Sequence, residues 1–172
     1  MHASINQLRQ SIISTQAFPA CIARLEKQLA DVTELYRQIQ ASSDPAEIQR
    51  LRVRMKVVHP AAVSNKLGQA TMAHHKARMA NLECLDQARA DAMAAITKAA
   101  GGPAGMHYSP RARLLCSQVL RAVQAALGTP AEDRLAKLEE VVQLLENIAK
   151  DDLAKVRESA ARRSLATTAS NS

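Results

Sequence analysis

Residues 22–39 read IARLEKQLADVTELYRQI, and their apolar side chains recur every three or four positions. Those side chains are Ile22, Leu25, Leu29, Val32, Tyr36 and Ile39. Such spacing places them on one face of an α-helix, so the stretch predicts a helix whose seam packs against a partner helix as in a coiled coil. The helical period continues along most of the chain, and no segment alternates like a strand. We therefore expect an all-α protein, an elongated antiparallel bundle of five to six helices built from coiled-coil hairpins.

Helix starts are marked by capping patterns at two points. Asp44 precedes Pro45, an arrangement typical of an N-cap followed by proline at the first helical position. The run TPAE over residues 129–132 has the form of a capping box, with threonine as the cap and glutamate three residues later. The sequence therefore predicts one helix that starts at Pro45 and another that starts just after Thr129.

Proline and glycine also divide the chain into segments. The dipeptide His59-Pro60 predicts a break because proline cannot continue the hydrogen-bond pattern of the preceding turn. The run GGPAG over residues 101–105 predicts a flexible hinge. The predicted segments are N-terminal hairpins over 1–100 that include a long helix over 62–100, a hinge over 101–109, a C-terminal hairpin over 110–163 and a disordered tail over 164–172.

A second seam, on the long helix, is made of small side chains. It consists of Ala70, Ala73, Ala77, Ala80 and Cys84 in heptad spacing. Small residues let two helix backbones approach more closely than large ones do. We expect this seam and the seam of residues 22–39 to form either the core or the interface of a homo-oligomer.

Composition narrows the class of protein. The chain has 172 residues, a formal charge of +7 and only three aromatic residues, so its core must be aliphatic. Three cysteines that lie far apart within helical patterns indicate a reducing compartment. No apolar run approaches the roughly 20 residues of a membrane span. A cytoplasmic location is expected, while the lack of any acidic residue before Glu26 leaves signal-less export open.

The strongest asymmetry is a run of 35 residues, 48–82, that contains no Asp or Glu. Its bases are Arg50, Arg52, Arg54, Lys56, Lys66, Lys76 and Arg78. The first four flank a predicted apolar stripe formed by Ile48, Leu51, Met55 and Val58. These bases suit acids on a neighbouring helix or an acidic partner protein, the phosphates of duplex nucleic acid, or, less well without aromatics on the stripe, an anionic membrane.

Catalytic and metal-binding patterns are not recognisable. His74 and His75 are adjacent and point about 100° apart on a helix, and neither has a nearby acid as metal sites in helical bundles require. The run GGPAG lacks the lysine of a phosphate loop. We expect no cofactor and no metal, although protonation of His59, His74 and His75 would add charge to the basic segment.

The resulting hypothesis is a non-enzymatic helical module that binds another protein, with adaptor, chaperone-like or regulatory roles. Residues 48–82 would supply its recognition surface for an acidic partner. The alternative is a regulator that binds duplex nucleic acid through the same bases, and a weaker one is an exported effector with a membrane-directed helical module.

Overall fold

The computed structural model describes residues 1–57 and 59–170, and within them the chain is helical without strands. This confirms the all-α prediction. The helices are α1 (His2–Gln16), α2 (Phe18–Ala41), α3 (Pro45–Val57), α4 (Pro60–Ala99), α5 (Gly102–His107), α6 (Pro110–Gly128), α7 (Arg134–Asn147) and α8 (Leu153–Ser170). A π-helical turn, Ile148–Asp152, joins α7 to α8. Consecutive helices pack in the pairs α2–α3, α5–α6 and α6–α7.

Two predicted irregular segments are partly helical instead. The predicted hinge over 101–109 contains the short helix α5. Gly101, just before this helix, has a φ of 94°, and Gly102, its first residue, has a φ of 84°. Such left-handed backbone is accessible to glycine at little steric cost, so these residues form a defined turn. The predicted disordered tail is helical as far as Ser170, because α8 continues through it. Residues 171–172 and Val58 of the predicted stripe lie outside the described residues.

The capping predictions have different outcomes. The carboxylate of Asp44 accepts a hydrogen bond of 2.9 Å from the backbone N–H of Ala46, as expected for a helix that starts at Pro45. The predicted capping box at Thr129 is wrong, because α7 starts later, at Arg134, and the hydroxyl of Thr129 donates to the carbonyl of Ala125 at 2.8 Å. The guanidinium of Arg134 turns back to donate to carbonyls at the end of α6, which satisfies acceptors that the helix itself leaves open.

The chain divides into two compact units, whose boundaries fall inside α1 and α4. Unit 1 comprises Met1–Ile13 and Arg78–Ser172, and unit 2 comprises Ser14–Ala77. Unit 1 has a continuous core to which α1, α4, α6, α7 and α8 all contribute. Its largest fully buried side chains are Ile5, Leu8, Leu85, Ile96, Val119, Leu138, Val141, Leu145, Ile148 and Val156.

Unit 2 has a much thinner interior. In its described part the buried hydrophobic side chains are Leu25, Val32, Leu51 and Val63. The aromatic ring of Phe18 stacks on the imidazole of His74, with ring centroids 5.6 Å apart and planes 16° from parallel. This stack ties the start of α2 to α4. The described part of unit 2 therefore depends on a few buried aliphatic side chains of α2, α3 and α4 and on the contact between Phe18 and His74.

The π-helical turn resets the face that α8 presents to the core of unit 1. Leu145 and Ile148 are three residues apart and buried, whereas the next buried side chain, Leu153, follows after five. A π-turn holds one residue more than an α-turn, so it absorbs the extra residue and returns Leu153 and Val156 to the core. It also places Asp152 beside Arg111 on α6, with an N–O distance of 2.6 Å.

Candidate functional site

The outer surface of α3 is basic, and the local sequence explains why. Leu51 is buried and Ile48 and Met55 are half-buried, so this side of the helix faces the interior of unit 2. The other positions whose burial the structure describes, 45–47, 49–50, 52–54 and 56, are exposed and hold the charge of the helix. Arg50, Arg52, Arg54 and Lys56 are all exposed.

An apolar side chain lies in the middle of these bases. Val53 is 54% exposed. At 3.6 residues per turn it lies about 60° from Arg50 on one side and about 60° from Lys56 on the other. Sequence reasoning missed Val53 because it considered only the buried stripe. We call Arg50, Arg52, Val53, Arg54 and Lys56 together the basic face of α3.

The bases of this face have no carboxylate partner within the described residues. In unit 2, the carboxylate of Glu34 pairs instead with Arg37 of its own helix at 2.9 Å, and Glu47 accepts a hydrogen bond from Ser42. The guanidinium of Arg37, followed by the amide of Gln38, holds the pKa of Glu34 below its usual value. Unit 2 carries nine Arg and Lys residues against five Asp and Glu residues. Because Glu34 and Glu47 interact with Arg37 and Ser42, neither carboxylate neutralises the positive charge of α3.

The other predicted bases are distributed over the two units. Lys66 and Lys76 are exposed on the part of α4 that belongs to unit 2, and Arg78 is half-buried and belongs to unit 1. Lys76 lies at one end of a shallow groove of about 500 Å³ along α4. The groove runs past Gly68, where an added side chain would meet no other atom within 4 Å, and Met72, which is 59% exposed. Met72 is a second exposed apolar residue that sequence reasoning did not single out.

The residues of the predicted packing seams differ in how deeply they are buried. On the first seam Leu25 and Val32 are buried and Ile22, Leu29 and Ile39 are half-buried. Tyr36, however, is 53% exposed, and its neighbour Leu35 takes the half-buried position. Leu35 fits the spacing equally well, being three residues after Val32 and four before Ile39, and it buries its side chain without a hydroxyl group that needs a partner.

The small-residue seam is half-buried along its whole length, from Ala70, Ala73 and Ala77 in unit 2 to Ala80 and Cys84 in unit 1. The fully buried stripe of α4 is formed by different residues, namely Leu85, Ala88, Ala92 and Ile96. Leu85 and Ile96 would expose far more apolar area than an alanine if they faced solvent, so their burial decides which side of α4 enters the core. These two residues were the sequence signal for the correct face.

Histidine and cysteine residues occupy ordinary positions. His74 is half-buried on the ring of Phe18, whereas His59 and His75 are exposed. Cys116 is buried, and burial raises the pKa of its thiol, which disfavours the thiolate needed of a nucleophile. Within the described part of the chain, no group of three or more His, Cys, Asp or Glu residues is placed to hold a metal ion.

Comparison with known proteins places this chain in no family. No family model, no curated protein and no solved structure matches it. Among residues 1–57 and 59–170, no helix combines the length and the apolar character that a membrane crossing requires. The candidate site therefore rests on its own geometry, that is, on the exposed bases of α3 around Val53.

Proposed function

We propose that the chain is a non-enzymatic helical interaction module, of the adaptor, chaperone-like or regulatory kind, that binds an acidic surface of another protein through the basic face of α3. The observation that carries the proposal is a group of four exposed basic residues around an exposed Val53, for which the described part of the chain offers no carboxylate partner. Protein interfaces commonly combine an apolar centre with a polar rim. The basic face of α3 has this arrangement on a small scale.

The apolar centre is what favours a protein over nucleic acid. Contacts to a duplex backbone are made by charged and polar groups, and Val53 would gain nothing from a phosphate. An acidic helix or strand with an apolar residue of its own would bury Val53 and pair with the flanking charges. Arginine, which supplies three of the four bases, is the better of the two basic residues for bidentate carboxylate pairing.

Self-association is the second part of the proposal. Ala70, Ala73 and Ala77 are half-buried within unit 2, and the groove along α4 lies beside them with Met72 exposed. A second helix could approach such a surface closely because the side chains are small. Sedimentation analysis tests this part: we expect the mass to rise with concentration, and a mass that stays monomeric at the highest concentration would contradict it.

The test of partner binding compares two variants of equal charge. In the α3 variant the bases of α3 are replaced by glutamine, as Arg50→Gln, Arg52→Gln, Arg54→Gln and Lys56→Gln. In the control variant four exposed bases of unit 1 are replaced in the same way, as Arg113→Gln, Arg121→Gln, Lys150→Gln and Arg157→Gln. Both variants lose four positive charges, so a difference between them reports position rather than net charge.

Each protein is used to capture partners from a host lysate with and without nuclease, and is then applied to heparin and to nonspecific duplex. We expect the captured proteins to survive nuclease, to dissociate as salt is raised, and to be lost with the α3 variant but kept with the control variant. Capture that nuclease abolishes, together with duplex binding whose salt dependence falls in the α3 variant, would replace the proposal with the nucleic-acid alternative. Equal capture by both variants would show that the basic face of α3 is not the site.

A further inference from the structure

A cavity of unit 1 lies between the segment that follows α4 and the last turns of α8. Its volume is about 840 Å³, which falls in the range of small-molecule sites, roughly 300 to 1,000 Å³. Nine residues line it, and six of them carry a methyl group or no side chain. These six are Ala100, Gly101, Gly105, Ala160, Ala161 and Ala166. We call this space the alanine chamber.

The wall on the α5 side has a fixed shape. Gly101 and Gly102 adopt left-handed backbone, which other residues rarely tolerate. A side chain added at Gly105 would overlap the backbone carbonyl of Ala100. Three glycines are therefore required for the backbone to turn as it does at the edge of the chamber. The chamber is a consequence of this turn and of the run of alanines on α8.

A positive charge stands at the edge of the alanine chamber. Arg163 lines it and is half-buried, and its Nη1 donates to the backbone carbonyl of Tyr108. This hydrogen bond connects α8 to the end of α5 and holds the guanidinium at the cavity wall. The side chain is therefore positioned before any ligand arrives, which reduces the entropy that binding would cost.

Arg163 also lines a second groove, of about 350 Å³, which shares Ala166 with the alanine chamber. This groove is lined mainly by charged residues, three of them basic and one acidic: Lys155, Arg162, Arg163 and Glu158. An apolar space and a basic space thus meet at one arginine. The molecule that fits this pair of spaces has an apolar body and an anionic end.

We propose that unit 1 binds a single-chain amphiphile with a carboxylate head, of the fatty-acid class. The alkyl chain occupies the alanine chamber, where most of the lining residues have a methyl group or no side chain. The carboxylate pairs with the positive charge of the Arg163 guanidinium, and the field of Arg162 and Lys155 favours the negative charge. The site belongs to unit 1 and uses no residue of the basic face of α3, so it is independent of the proposed function.

Calorimetric titration with octanoate, 1-octanol and acetate separates the two halves of the site. Octanoate has both the chain and the charge, octanol has the chain alone and acetate the charge alone. We expect saturable binding of octanoate, binding of octanol weaker by about tenfold or more because a charge-assisted pair is lost, and no measurable binding of acetate. Absence of saturable octanoate binding, or equal affinity for octanoate and octanol, would overturn the proposal.

Two sets of variants place the ligand. Ala160→Phe fills the alanine chamber and is expected to abolish octanoate binding, whereas Ala154→Phe, on an exposed position of α8 outside the cavity, is its matched control. Arg163→Gln is expected to weaken octanoate about tenfold and leave octanol unchanged, and Arg163→Lys to recover part of the loss. If Arg163→Gln weakens both ligands equally, Arg163 only supports the wall. If Ala160→Phe binds octanoate as the control does, the ligand lies elsewhere.

Thermal melting by circular dichroism establishes that each variant is folded. Should Ala160→Phe fail to fold, the ratio of octanoate to octanol affinity in Arg163→Gln still decides the matter. The α3 variant, with its four glutamines, is expected to bind octanoate as the unmodified protein does. That result separates the two proposals, because either can fail without the other.

Discussion

Deletion of Lys150 is expected to leave unit 1 folded, because the π-helical turn already contains one residue more than an α-helix needs. The buried positions around it follow spacings of three, five and three residues, at Leu145, Ile148, Leu153 and Val156. Without Lys150 the middle spacing becomes four, which is the regular helical repeat. The helix can then run continuously with every one of these side chains still in the core. Lys150 itself is exposed.

The magnitude follows from what the deletion removes. The ion pair of Asp152 with Arg111 would be displaced, and pairs with this much exposure contribute at most about 1 kcal/mol. We therefore expect the free energy of unfolding to change by no more than about 1 kcal/mol in either direction. Deletion of Glu139, an exposed residue of α7, is the matched control. Deletion of Glu139 rotates the following residues of α7 by about 100° relative to the start of the helix. These residues precede the π-helical turn, so the turn cannot restore their orientation.

The residues that this control turns out of the core are Val141, Val142, Leu145 and Ile148, each at most 5% exposed. Loss of about 1.5 to 3 kcal/mol for each amounts to about 6 to 12 kcal/mol, which is comparable with the total stability of a domain, about 5 to 15 kcal/mol. Urea unfolding followed by far-ultraviolet circular dichroism measures both variants. Equal loss of stability in the two deletions would refute the reasoning, as would a folded protein without Glu139.

Substitutions at Gly105, Leu85 and Arg37 test three separate features of the fold. Replacement of Gly105 by alanine should lower the melting temperature by several degrees, because the added methyl overlaps a backbone carbonyl. Gly128→Ala, at the end of α6, is the control and should not lower the melting temperature, because its methyl meets open space. Equal melting temperatures of the two variants would contradict this reasoning. Leu85→Ala should cost about 3 kcal/mol in urea unfolding because the side chain is only 1% exposed, and a cost below about 1 kcal/mol would mean that the core closes around the gap. The pKa of Glu34, read from its side-chain carboxyl resonance by NMR, should rise toward its usual value when Arg37 is replaced by glutamine. Because the folded-state pKa is depressed, this pair contributes stability at neutral pH that is lost as pH falls through that value, and an unchanged pKa would exclude Arg37 as the cause.

The helical class and most helix starts were predictable because proline, glycine and apolar spacing act locally. The cap at Asp44 is an example, since its hydrogen bond involves a residue only two positions away. The start of α7 was not predictable in this way, because Arg134 reaches back to the carbonyls of α6. The helical end of α8 was also missed. Once a helix exists, each added residue needs only to propagate it, so a weak sequence of Ser, Thr and Ala can continue one that it could not start.

The exposure of the basic residues of α3 was predictable from their position beside an apolar stripe, but the lack of an ion-pair partner for them among residues 1–57 and 59–170 was not. Whether a base on α3 meets an acid depends on the packing of other helices, which the spacing of residues on one helix does not give. The same limit applies to α4, where two faces had helical spacing and the large side chains of Leu85 and Ile96 decided which one was buried. The alanine chamber had no local signal, because its walls come from residues about sixty positions apart.

If unit 2 binds the proposed partner, its thin interior would link its folding to the abundance of that partner. A ligand that binds only the folded form, present at about 100 times its dissociation constant, adds about 2.7 kcal/mol to stability. Unit 2 has four buried hydrophobic side chains in its described part, so such an increment is a large fraction of its free energy of unfolding. In chains that have no partner bound, unit 2 would unfold before unit 1, and proteases would cleave the chain there. Turnover in the cell would then match the amount of the module to the amount of its target.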